Sequence, residues 1–130
     1  MKRRNFILTT LAAAAAIACP IAHSNINSNS TKDPLSWPED LGKLTDERTI
    51  RGIGFHYKKL VPSMYKQATL KRLLLSDSNG MQVALTNDSE TKEWLKKKVS
   101  HDFMTFNIIT VNGWVISSTE FRQCALFSFL

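Results

Sequence analysis

The sequence lacks the signature motifs of the common enzyme and cofactor classes. It contains no GxSxG nucleophile elbow, no P-loop, no GxGxxG dinucleotide fingerprint and no CxxCH haem attachment. The fragment Gly52-Ile53-Gly54 lies inside a helical pattern instead of after a strand, so it does not indicate a nucleotide site. We therefore predict no catalytic, cofactor-binding or metal-binding residues, and a chain that is not an enzyme.

Cysteine and histidine are also scarce. The two cysteines are Cys19 and Cys124, and Cys19 lies in or beside a segment that we expect to be removed. One remaining cysteine forms no internal disulfide and completes no tetrahedral metal site, and His56 and His101 have no metal-binding spacing. We predict that Cys124 is a buried thiol, with an intermolecular disulfide or a reactive thiol as alternatives.

No hydrophobic run is long enough to cross a bilayer. The run from Phe6 to Ala18 is interrupted by two threonines and falls short of the roughly 20 residues that a transmembrane helix needs. Cations precede this run, and the small residues of Ala22-His23-Ser24 follow it. These three parts predict an export signal over residues 1–24, cut before Asn25.

The charged part of the signal indicates the export route. Arg3 and Arg4, followed by Phe6 and Ile7, resemble a twin-arginine signal. This resemblance implies a protein that crosses the membrane already folded, with the twin-arginine translocase as one partner and the periplasm as its location.

Two other interpretations of the signal stay open. Lys2 and Leu8 depart from the twin-arginine pattern, as they would in an ordinary secretory signal with two chance arginines. A weak lipobox, Ala16-Ile17-Ala18-Cys19, would instead place a lipid on Cys19, although Pro20 argues against it.

Loss of the signal changes the charge balance. The whole chain has 17 Lys and Arg against 11 Asp and Glu, a net charge of +6. Three of the cations belong to residues 1–24, so 14 remain against 11 acids and the net charge falls to +3. This ordinary balance does not favour nucleic-acid binding, and we expect membrane contact only through the signal or a complex.

The remaining chain suits one small domain. Residues 25–34 are mostly small and polar, which predicts a flexible leader, and residues 35–130 are enough for one modest core. We predict an α+β fold with a mainly helical body of three to four helices and a C-terminal β-hairpin.

Periodicity and turn residues place the elements. The first helix is predicted to begin at a Thr45 cap and end before Pro62, and the second spans about 67–76. Residues 81–86 alternate like a short strand. The third helix is predicted to begin at an Asn87 cap and run to about Phe103, with five residues inward: Trp94, Leu95, Val99, Phe103 and Met104.

The last third of the chain carries the strongest local signals. Asn112-Gly113 separates two β-branched and aromatic runs, which predicts a hairpin with a type I′ turn. Ser117 with Glu120 forms a capping-box pattern that predicts the start of a further helix. The chain then ends in apolar residues that include Phe127, Phe129 and Leu130. Either these residues pack into the core, or they form a candidate partner surface together with Trp37 and Trp114.

The stretch from Val111 to Glu120, after His101-Asp102-Phe103, resembles small bacterial proteins with twin-arginine signals. They include the small subunits of membrane-bound flavin-dependent dehydrogenases that oxidise sugars, polyols and sugar acids. In such complexes the flavin sits in a large subunit, and the small subunit carries the signal and assists assembly or export. The resemblance transfers no catalytic residue.

Three hypotheses follow from the sequence. The first is a non-catalytic exported subunit or escort of a periplasmic or membrane-associated oxidoreductase. The second is a free-standing exported binding or stress module of unknown ligand. The third is a small enzyme of unrecognised type that acts through His56, His101 or Cys124.

Overall fold

The computed structural model describes residues 32–130. The predicted export residues Arg3, Arg4, Phe6 and Ile7 lie outside the described residues, as do Cys19 and most of the predicted leader. The described part has five α-helices and one β-hairpin, so the predicted α+β fold with a mainly helical body is confirmed. In chain order the elements are α1 (Glu39–Gly42), α2 (Glu47–Leu60), a 3₁₀ turn (Pro62–Met64), α3 (Gln67–Leu74), α4 (Asp88–Met104), β1 (Ile108–Val111), β2 (Trp114–Ser117) and α5 (Ser118–Phe127).

Helix α5 forms the centre of the fold. It contacts α2, α3, α4 and both strands. Nearly all its residues are buried: Thr119, Glu120, Phe121, Gln123, Cys124, Ala125, Leu126 and Phe127. A helix that is buried on almost every side needs apolar or fully hydrogen-bonded side chains all round, which explains its composition.

Helix α2 packs against α5 through one apolar face. Ile50, Ile53 and Tyr57 are buried on it, whereas Leu60, which continues the same helical spacing, is 59% exposed. The Tyr57 and Phe121 rings meet edge to face at 4.9 Å. The predicted cap at Thr45 is wrong by one residue. Asp46 is the N-cap, and its carboxylate accepts a hydrogen bond from the Thr49 N–H at 2.9 Å.

Gly54 lets α2 and α5 approach closely. A Cβ at this position would overlap the carbonyl oxygen of Cys124 and lie 2.8 Å from its carbonyl carbon. The obstacle is helix backbone, which cannot rotate away as a side chain can. The glycine is therefore required by packing, although it weakens α2 as a helix.

The helix predicted over about 67–76 is confirmed as α3, which ends two residues earlier, at Leu74. The predicted strand over 81–86 is wrong, because these residues form only one isolated bridge, between Ser76 and Gln82. The Asp77 carboxylate accepts hydrogen bonds from the Asn79 and Met81 N–H groups, which curls this segment into a turn.

Helix α4 begins at the predicted Asn87 cap, whose side chain accepts from the Glu90 N–H. Its apolar face is narrower than predicted. Leu95 is buried, Trp94, Val99 and Phe103 are half-buried, and Met104 is 75% exposed. Met104 is therefore not an inward residue. No helix within residues 32–130 combines the length and the apolar character that crossing a membrane requires.

The predicted hairpin is confirmed. Strands β1 and β2 pair antiparallel, with Ile108 opposite Ser117 and Val111 opposite Trp114. Asn112 and Gly113 have φ angles of 51° and 84°, as a type I′ turn requires. The strand β2 leads directly into the capping box of α5.

Replacing Gly54 should test the contact between α2 and α5. We expect Gly54→Ala to lower the free energy of unfolding by about 1–3 kcal/mol because the new methyl group overlaps Cys124 backbone. Gly52→Ala is the matched control: nothing lies within 4 Å of its Cβ position, so it should raise stability by about 0.5–1 kcal/mol. Urea unfolding of both variants measures the difference, and equal effects would contradict the close packing.

The Asp46 cap should make stability depend on pH. Hydrogen bonds from Thr49 hold the pKa of Asp46 below its ordinary value of 3.8. A lowered folded pKa means that this stabilisation is present above about pH 3.8 and is lost as the pH falls through the folded value. Asp46→Asn keeps a cap that does not titrate, so we expect the wild type to lose more stability than this variant on acidification. Urea unfolding of the wild type and of Asp46→Asn at pH 7 and pH 3 measures the difference. Equal losses of stability in the two proteins would contradict the prediction.

Candidate partner-binding surfaces

Two buried carboxylates organise the start of α5. Asp102, near the end of α4, accepts hydrogen bonds at Oδ2 from the Thr119 N–H at 2.8 Å and the Thr119 hydroxyl at 2.7 Å. Its Oδ1 accepts from the Asn107 amide at 3.3 Å. This carboxylate therefore joins the end of α4 to the first turn of α5.

The predicted capping box completes this junction. The Ser117 hydroxyl accepts from the Glu120 N–H, and the Glu120 carboxylate accepts from the Ser117 N–H, both at 3.0 Å. The Ser118 N–H donates to the Asn107 carbonyl at 3.0 Å. The N–H groups of residues 118, 119 and 120, which a helix start leaves without intrahelical partners, therefore all have acceptors. All four polar residues from Ser117 to Glu120 therefore take part in this junction.

The three candidate catalytic side chains occupy different surroundings. His101 is exposed on α4, His56 is half-buried on α2, and Cys124 is completely buried in α5. Burial of Cys124 agrees with the predicted structural thiol. Residues 32–130 contain no group of three or more His, Cys, Asp or Glu side chains that could hold a metal ion.

A cleft of about 530 Å³ lies between α4, α5 and the segment of chain that precedes α2. Buried Glu120 and Gln123 contribute to its lining, with the half-buried Trp37 ring and four lysines. The Gln123 amide donates to the carbonyls of Pro34 and Trp37 at 3.3 and 3.2 Å. Gln123 thus fastens the chain before α1 to the central helix, and Trp37 stays against the core as a result.

Lys98 behaves differently from its exposed neighbours Lys96 and Lys97. Its ammonium group donates to the Ser76 carbonyl at 2.8 Å and lies 5.6 Å from the Trp94 ring centroid. Partial burial is the main reason that the pKa of Lys98 is lowered, with nearby Arg122 as a second cause. This lysine ties α4 to the loop after α3.

Most of the predicted partner residues take part in internal contacts. Phe127 belongs to the core, and the Trp37 ring packs edge to face on it at 5.1 Å. Trp114 is half-buried against the core, and Phe129 stacks on Tyr65 at 4.3 Å. Leu130 is 65% exposed, and its carbonyl accepts from the Arg51 guanidinium at 2.7 Å. Of these five residues, Leu130 alone offers most of its side chain to a partner.

Other large apolar side chains are exposed, and the sequence interpretation missed them. They are Phe55, Leu60, Met64, Met81, Met104 and Phe106. No periodic signal singles them out, because an exposed apolar residue looks like a core residue in the sequence.

Phe106 occupies the position where glycine usually ends a helix. Its φ is 59°, its N–H donates to the Phe103 carbonyl, and the Asn107 N–H donates to the Asp102 carbonyl at 2.8 Å. These bonds form a Schellman motif with a phenylalanine in the left-handed position. The Phe106 side chain is 79% exposed and lies two residues after Met104 in the chain.

Removing the Asp102 carboxylate should destabilise the whole fold. Asp102→Ala leaves the Thr119 N–H, the Thr119 hydroxyl and the Asn107 amide without this acceptor, and we expect a loss of about 3 kcal/mol. Asp88 is exposed and also lies on α4, and Asp88→Ala should lower the free energy of unfolding by only about 0.5 kcal/mol. Urea unfolding compares the two, and equal losses would show that the junction is not the stabilising element.

Comparison of the chain with protein-family models, with curated proteins and with solved structures found no significant match.

Proposed function

We propose that this chain is a non-catalytic accessory subunit or escort, exported in the folded state together with a larger oxidoreductase. The proposal rests on the twin-arginine pattern at Arg3 and Arg4 and on the resemblance of residues 111–120 to small dehydrogenase subunits. Its partner is a flavoprotein that acts on sugars, polyols or sugar acids.

Phe106 is the structural observation that supports a binding role. A non-glycine residue with φ near 60° is strained, and a bulky ring there also leaves a large apolar surface in water. Neither cost is offset by burial within the described chain, because the ring is 79% exposed. Contact with a partner would offset both, and aromatic residues and methionine, as at Met104, are enriched in protein interfaces.

The chemistry of the buried groups also supports a binding role. The carboxylates of Asp102 and Glu120 accept hydrogen bonds from the start of α5, which gives each a structural task. A folded-export signal on a chain of this kind makes physical sense when the cargo that needs folding, usually around a cofactor, is the partner. The chain then contributes the signal and a rigid binding surface.

The test is recovery of the partner with variants of Phe106. An affinity tag inserted between residues 25 and 31 follows the predicted cut and leaves the described residues unaltered. We expect the unaltered protein, purified from gently solubilised envelopes, to retain a larger flavoprotein in near-equal amount. Phe106→Gly should reduce that recovery several-fold while raising the stability of the isolated chain by about 1 kcal/mol, because it relieves the left-handed strain.

Met81→Ser is the matched control, since Met81 is an exposed apolar residue in the loop after α3. The amount of partner recovered with Met81→Ser should equal the amount recovered with the unaltered protein. A bare monomer in every preparation would contradict the proposal and favour the free-standing exported module. Undiminished recovery with Phe106→Gly would remove Phe106 from the binding surface.

A further inference from the structure

Helix α2 has an outward stripe that its own chain does not use. Arg48, Gly52, Phe55 and Lys59 follow one another at intervals of four, three and four residues. This spacing places them on one face of the helix, opposite the inward face that buries Ile50 and its neighbours. It is also the spacing with which one helix packs along another.

Gly52 is the unexplained residue of this outward stripe. Its φ is not positive, and nothing lies within 4 Å of the position that a Cβ would occupy, so neither backbone conformation nor internal packing requires glycine. Gly54, two residues later, is fully explained by its contact with Cys124. A glycine in the middle of a helix is unfavourable relative to alanine, so its presence at position 52 points to close approach from outside.

The surroundings of Gly52 form an open notch. The residues that line it are Glu47, Arg48, Arg51, Gly52 and Phe55. Phe55 is 48% exposed and forms an apolar wall. A partner side chain seated above Gly52 would contact this ring while its backbone comes close to α2.

The charge around the notch selects the partner. Arg48 and Lys59 form no ion pair within residues 32–130, although Arg48 contributes to lowering the pKa of the neighbouring Asp46 carboxyl. The Arg51 guanidinium donates to the backbone oxygens of Phe127 and Leu130. The one acid of α2, Glu47, pairs with Lys32 at 2.7 Å. The charged side chains of the stripe itself, Arg48 and Lys59, are therefore both cations and lie on either side of the apolar Phe55 wall.

A second copy of the chain does not fit this charge pattern. Antiparallel packing of two such stripes would bring Arg48 of one copy towards Lys59 of the other, and parallel packing would pair like residues. Both arrangements place cations against cations, which is unfavourable. Acidic residues on the partner remove this repulsion.

We propose that the outward stripe of α2 is the binding site for one α-helix of the larger partner. That helix presents an apolar side chain to the notch above Gly52 and carboxylates to Arg48 and Lys59. The inference rests on the proposed function, because it names the face and the chemistry through which the same partner binds.

The central variant is Gly52→Leu, which fills the notch. We expect the melting temperature of the isolated chain to rise by about 4 °C, because leucine favours the helix and nothing lies within 4 Å of its Cβ position, while recovery of the partner falls at least ten-fold. Ala68→Leu adds comparable bulk to an exposed position of α3 and should leave recovery unchanged. Loss of binding with gain of stability separates an interface role from a folding defect.

Charge reversal and cross-linking identify the occupant. Arg48→Glu combined with Lys59→Glu should also reduce recovery at least ten-fold. A photoreactive p-benzoylphenylalanine in place of Phe55 should cross-link to a helical, acid-rich segment of the recovered partner, mapped by mass spectrometry. A cross-link to a second copy of this chain, or to a partner segment without acids, would overturn the proposal.

The outcomes also distinguish this inference from the proposed function. If the unaltered chain and Gly52→Leu recover equal amounts of the flavoprotein, the accessory role is supported and the proposed helix-binding site on α2 is overturned. Failure of the unaltered chain to retain any larger protein would overturn both.

Discussion

The fold depends on satisfying the polar start of a helix that is otherwise buried. Helix α5 begins inside the protein, where unpaired N–H groups would each cost free energy. Asp102 reaches this start from α4, seventeen residues earlier, and Ser117 and Glu120 complete it from the helix itself. The hairpin between α4 and α5 returns the chain to this point, so α4, the hairpin and α5 are positioned by one set of hydrogen bonds.

That junction and the close contact at Gly54 determine which apolar residues remain exposed. Because α2 and α5 pack backbone to backbone, Phe127 falls into the core and Phe129 stacks on Tyr65. Most of the apolar side chains at the end of the sequence are therefore in contact with the rest of the domain. The exposed phenylalanines are instead Phe55, on the outer face of α2, and Phe106, after the end of α4.

Local signals predicted the elements, and tertiary contacts decided the rest. The Asn112-Gly113 turn and the Ser117–Glu120 capping box follow from neighbouring residues, so the sequence was sufficient for them. The role of Asp102 depends on a partner seventeen positions away, which no local pattern reveals. Residues 81–86 alternate like a strand but find no strand to pair with, and Met104 shares the helical period without reaching the core.

The residues most informative about function are those that the fold does not need. Phe106 strains the backbone where glycine would not, and Gly52 weakens a helix where alanine would fit. Each substitution towards the locally favoured residue would stabilise the isolated chain, so selection for stability alone would not retain either. Natural sequences depart from local consistency mainly where function requires it. Two such departures, one adding apolar surface and one removing bulk, are what a domain shaped to fit another protein would show.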